Sequence, residues 1–251
     1  MSIRLRDDGR NCNELRQISS EQGTLHRADG SSNLTFGDTT VLVAVYGPGQ
    51  AKIARNELVD KAAIDVCVRL NQGIAAAKEK EMELIVRRLY EPIIQRQEFP
   101  RTVISIVIQI IEDAGSISSL LTSHTIGFGS CVEFLDRLCL YLVSAVINAV
   151  TMALMDAEIA MLGVVTSTTC CLTEDGSVLL DPSQKEEAEC ISLVICASSF
   201  QLAEGGVLFL SSEGPLSEEQ LFSCAEACKR GSKCVETFIR QSYSKRLEQS
   251  I

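Results

Sequence analysis

RTVISIVIQIIEDAGS, residues 101–116, is the stretch whose reading decides the fold. Val103, Ile104, Ile106, Val107, Ile108, Ile110 and Ile111 follow one another too continuously for a half-solvated strand. The run therefore reads as a central strand buried on both faces. It breaks at Glu112-Asp113-Ala114-Gly115-Ser116, where Gly115 supplies a turn and Ser116 an N-cap. An Ala-, Val- and Leu-rich helical pattern lies further on. A loop between a buried strand and a helix start is a common place for an anion or substrate, so any chemistry is sought there first.

Upstream, LHRADGSSNLTFGDTTVLVAVYGP at 25–48 predicts two strands joined by a turn at Gly37-Asp38, with Gly47-Pro48 closing the second. Another strand is expected from Ala63 to Leu70, then a helix from about Ala75 to Gln95 that Pro92 kinks or ends. Downstream, strands are expected at Leu162–Thr173, Ser177–Leu180, 191–199 and 206–211. Ser217 opens a C-terminal helix with Glu218, Glu219 and Gln220 in its first turn, running to about Arg246. No Pro/Ser-rich linker separates the halves. The chain reads as one two-lobed α/β unit, with a first lobe about 1–160 and a second about 161–251.

The 251 residues are enough for one sizeable core or two small ones. A net charge of −10 argues against a free-standing nucleic-acid binder, though not against a local basic groove or a subunit whose partners supply positive charge. Eleven cysteines, an odd number at irregular spacing, read as reduced thiols in an intracellular protein. Cys224 and Cys228 share one helical face, but the histidines, His26 and His124, are far away in sequence. Small buried hydrophobes are a better account of the thiols than a metal site. Leu138 to Met155 carries no charge, yet Ser144, Asn148 and Thr151 interrupt it and Asp136, Arg137 and Asp156 bound it. It reads as a helix packed against a sheet, not a membrane span.

Four segments, in order, carry a resemblance: RDDGRNCNELR at 6–16, ADGSSNLTFGDTTVLVAVYGP at 28–48, FPRTVISIVIQIIEDAG at 99–115 and TEDGSVLLDPS at 173–183. Together they resemble the ribonuclease PH family. Among its branches, the LLDPSQKEEA run is most similar to a ring subunit of the eukaryotic RNA exosome. The resemblance implies an α/β (α+β) ribonuclease PH-like fold of two βαβ-containing lobes with mixed sheets and long helices. It also implies ring subunits and RNA as partners, and a location in nucleus, nucleolus and cytoplasm.

Active members of that family use inorganic phosphate to remove nucleotides from an RNA 3′ end, and the resemblance places the functional residues. The family holds phosphate with an arginine just after the Gly-Gly turn; here the chain reads Ala114-Gly115-Ser116-Ile117. Ser116 keeps one hydrogen bond, but the bidentate cation is missing. A helix arginine of the family falls on Arg87, beside Arg88; with Arg96 and Arg101 these form a candidate basic strip for an RNA backbone. The family's acidic run maps onto Asp181, Glu186 and Glu187, the candidate catalytic carboxylates, but its later Asp-Met-Asn has no counterpart at Ile191 and Ser192. Residues 117–141 match nothing in the family pattern and read as an insertion beside the turn.

With its phosphorolytic set incomplete at two places, the chain reads as a non-phosphorolytic ring subunit that supports RNA processing and needs no cofactor. A second reading is a metal-dependent nuclease, using Asp181, Glu186, Glu187 and Mg2+ as a homodimer. A third is a variant that the insertion keeps from assembling.

Overall fold

The computed structural model describes residues 6, 8–50, 58–69, 76–112, 130–202 and 206–250. Along the chain run β1 (Ile18–Gln22), β2 (Gly30–Phe36), β3 (Thr39–Gln50), β4 (Ala63–Arg69), α1 (Ala76–Tyr90), β5 (Thr102–Glu112), α2 (Ser130–Asp156), β6 (Thr166–Leu172), β7 (Val178–Leu180), α3 (Gln184–Glu189), β8 (Ser192–Ser199), β9 (Gly206–Glu213) and α4 (Glu218–Ser250).

The opening stretch forms β5, an inner strand of the first sheet, whose order is β1-β2-β3-β5-β4. β3 flanks it antiparallel and β4 parallel. The parallel pair needs a crossover, and α1 supplies it. One expectation is corrected here: β5 is not buried on both faces. Ile104, Ile106, Ile108 and Ile110 are buried, while Val103, Ser105, Val107 and Gln109 are only partly covered and Ile111 is exposed. The period-2 alternation of a strand is present, but valine and isoleucine fill both faces and hide it in the sequence.

The second sheet has the order β7-β6-β8-β9 and is antiparallel throughout. β7 and β8 run the same way on either side of β6 and are joined through α3, so the second lobe holds a split β-α-β unit.

α2 lies between the two sheets, against β2 and β3 on one side and β6 and β8 on the other. Every residue from Leu142 to Leu154 is buried, as expected for a helix apolar on all sides. Its polar residues join the lobes. Asn148 donates to Ser167 O at 2.8 Å and accepts from Ser167 N–H at 2.9 Å. Thr151 donates to Val165 O at 2.7 Å. The Tyr90 hydroxyl donates to Ile147 O at 2.7 Å and lies 2.7 Å from Thr151 Oγ1. Burial pushes the Tyr90 phenol up, which keeps it a donor. Gly30 lets β2 approach this helix: a Cβ there would sit 2.3 Å from Ala157 N. Among the described residues, no helix is long and apolar enough to cross a membrane.

α4 covers the outer face of the second sheet, against β6, β7 and β8. Cys224 and Cys228 face Cys170 on β6, all buried and free. The cysteines act there as small core residues. α1 stops at Tyr90, short of the expected Gln95, because Pro92 denies the next turn a donor. The edge strand β1 and the six-residue α3 were not anticipated. Of the segment 117–141, residues 117–129 and the turn at Ser116 lie outside the described residues, and 130–141 form the first turns of α2.

Candidate functional site

The described candidate residues fall into two groups. The first is the carboxylate end of the second lobe. β7 ends at Leu180, and Asp181 turns the chain with φ of +50°, a left-handed conformation that Asp tolerates better than most residues. Its N–H donates to Thr169 O at 2.8 Å. Asp181 is only 1% exposed, so its charge must be matched.

Arginines of the N-terminal segment do this. Arg16 donates from its backbone N to Asp181 Oδ2 at 2.7 Å, from Nε to Oδ2 at 3.1 Å and from Nη2 to Oδ1 at 2.7 Å. Arg10 Nη1 lies 3.6 Å from Oδ2 and donates to Asp181 O at 3.2 Å. Arg6 spans the same turn, with Nη1 2.8 Å from Leu180 O and Nε 2.8 Å from Glu186 Oε1. The other Glu186 oxygen accepts from Ser183 N–H at 2.7 Å, the helix-start contact of α3. Leu180 N–H donates to Cys12 O at 2.8 Å. Asp8 anchors Arg10 in turn: slight burial opposes ionisation, but the hydrogen bonds and charge of Arg10 win and hold its carboxyl below the usual range.

Asp181 and Glu186 are therefore brought together, but as acceptors of a latch. Each has both carboxylate oxygens facing a guanidinium or a backbone N–H. Such a donor set does not fit a divalent cation, which needs outward-facing oxygens. Glu187, half-buried on α3, donates its N–H to Ser183 O at 2.9 Å. Among the described residues, no group of three His, Cys, Asp or Glu side chains is placed to hold a metal.

Arg16 does more than pair. Its guanidinium carbon lies 5.7 Å from the centre of the Phe36 ring on β2, so one side chain joins the first-lobe hairpin to the second-lobe turn. The sequence signal was available, with Arg6, Arg10 and Arg16 clustered near one end. Their partners, more than 160 positions away, were not.

The second group is the basic one. Arg87 and Arg88 occupy the last turn of α1. Arg87 is 3.7 Å from Asp65 on β4, and Arg88 is exposed. Arg96, in a 3-10 turn at Arg96–Glu98, is 3.8 Å from Glu91. Arg101 is exposed at the entry to β5, with φ of +59°. The crossover geometry sets this group at the start of β5. Asp65 pairs in register with Ser105, whereas β5 ends at Glu112. At about 3.3 Å per residue, roughly 23 Å of strand separates the two levels. Arg87 therefore lies toward the start of β5, away from Glu112.

Comparison with known proteins places this architecture. The 3′ exoribonuclease family, domain 1, matches residues 14–160, and domain 2 of the same family matches 163–231. The chain is 30% identical to the exosome complex exonuclease RRP46 homolog of Arabidopsis thaliana, over 95% of each chain. It is 31% identical to the exosome complex component RRP46 of Saccharomyces cerevisiae, over 89% of this chain and 94% of that one. A crystal structure of rice Rrp46 superposes with a TM-score of 0.78 at 30% identity, covering 94% of this chain and 99% of that one. A chain of the Archaeoglobus fulgidus exosome, solved with RNA bound to its active site, shares the fold at a TM-score of 0.69 and 18% identity, over 93% of this chain and 92% of that one. With both domains matched in order on two packed sheets, the chain belongs to the 3′ exoribonuclease family of ribonuclease PH-like proteins.

Proposed function

We propose that the chain is a non-phosphorolytic core subunit of an RNA exosome, of the RRP46 type also called exosome component 5. In this role it supports 3′–5′ RNA processing and degradation through ring assembly and contacts along the RNA path. The observation that carries the silent part of this reading is the Asp181 carboxylate. It is 1% exposed and occupied by Arg16, so it offers nothing to a leaving oxygen or a metal. Ser116 and Ile117, where active members carry an arginine, leave the attacking phosphate without its cation. No cofactor is needed.

Its partners are other exosome ring subunits and RNA. The exposed Arg88 and Arg101, with Arg87 and Arg96 behind their ion pairs, offer positive charge to an RNA backbone in a chain of net charge −10. Nucleus, nucleolus and cytoplasm follow as its compartments, and imaging of a tagged chain checks them.

Co-expression with the other ring subunits tests the assembly role. The expected outcome is recovery of the chain in a ring-sized particle; a chain that stays apart as a monomer or homodimer contradicts it. In that particle, Arg88→Glu with Arg101→Glu is expected to weaken RNA cross-linking without releasing the subunit.

A further inference from the structure

β1 is an edge strand among the described residues, and a groove runs beside it. Gly37 N–H bonds Gln17 O, and Gly23 N–H bonds Ser31 O. In an antiparallel pair this fixes the alternation: Ser19 and Glu21 turn their backbone polar groups toward β2, while Ile18, Ser20 and Gln22 turn theirs to the open edge. A groove of about 590 Å3 runs along Ser19–Thr24 and is walled by α4 at Phe238, Gln241, Ser242 and Lys245. The wall is fixed to the strand by the Ser20 and Ser242 hydroxyls, 2.9 Å apart. Beside the groove, the carboxamide N and O of Gln22 and the Thr24 hydroxyl are enclosed and, among the described residues, have no hydrogen-bond partner. Buried polar groups are normally paired. Lys245 is exposed on the wall, a cation on a strongly acidic chain, whereas Arg246 is taken by Asp156.

We propose that this groove takes an extended, acidic peptide segment of another protein, which adds to the first sheet as a strand beyond β1. Backbone groups of Ile18, Ser20 and Gln22 set its register, and Lys245 meets a carboxylate on it. Main-chain bonding gives such a site affinity, and the wall gives it selectivity. The proposal stands on the edge geometry and does not depend on the ring reading.

The probe is a random peptide library panned on the intact chain, with counter-selection on Ser20→Pro. Proline at Ser20 removes an outward N–H and leaves the ladder to β2 intact, and Ser20→Ala, which loses only the Ser242 contact, is the control expected to keep binding. The expected peptides alternate β-branched residues, carry Asp or Glu, and bind wild type but not Ser20→Pro. Lys245→Glu, on the surface, is expected to weaken them about tenfold with an unchanged melting temperature. It decides the matter alone if Ser20→Pro fails to fold. No enrichment on wild type, or peptides insensitive to Lys245→Glu, would overturn the proposal.

Discussion

Asp181 is the residue on which the proposed function turns, because its buried carboxylate is used to hold the molecule together. Removing the Arg16 guanidinium leaves the buried Asp181 charge with only the Arg16 backbone N–H and Arg10 at 3.6 Å, and breaking a buried pair typically costs about 3–5 kcal/mol. Arg16→Ala is expected to lower unfolding stability by that order in urea titration. Arg16→Ala with Asp181→Ala should recover part of the loss, since no charge is then stranded. Equal stability of Arg16→Ala and wild type would remove the latch from the account. Gly30 makes a different kind of demand. A methyl group at that position meets Ala157 N and Ala153 O, so Gly30→Ala is expected to destabilise by about 1–3 kcal/mol, measured the same way.

At the scale of elements, the hairpin of β2 and β3 was legible because Gly37-Asp38 sits between runs of matching alternation. The strand character of β5 was legible too, but its one-sided burial was not, since Val103, Val107 and Ile111 are as apolar as the buried isoleucines. β1 reads ISSEQ, too short and polar to announce itself, and it is held by pairing with β2. α3 reads QKEEAE and passes for an acidic turn until Glu186 reaches the Ser183 N–H. The candidate site was legible as residue types and illegible as partners: ion pairs from Arg6 and Arg16 to the second lobe leave no local pattern. The basic residues were read as one strip because they are close in sequence, yet Arg87 and Arg96 each face an acid of their own. The buried thiols of β6, β8 and α4 give this layer a pH signature. Burial, with like charge from Cys228, pushes the Cys196 thiol up to about 12 from the ordinary 9.0. The unfolded thiol ionises first, so this stability is whole below pH 9.0 and is lost between there and about 12. Cys196→Ala is expected to flatten the fall of stability with alkaline pH by about 1.4 kcal/mol per pH unit. An unchanged slope would show that this thiol does not titrate differently on unfolding.

The whole molecule is two sheets around α2, with α4 outside the second and an N-terminal segment crossing between lobes. Arg16 over Phe36 and Asp181, Asn148 on Ser167, and Arg246 on Asp156 all tie one lobe to the other or close a helix end against it. That arrangement suits a rigid subunit of the proposed ring. The measurement that bears most directly on it is phosphorolysis by the purified chain, with 3′-labelled RNA, inorganic phosphate and Mg2+. The account predicts no nucleoside diphosphate above a protein-free control; nucleoside diphosphate released by the wild-type chain and lost in Asp181→Asn would contradict it.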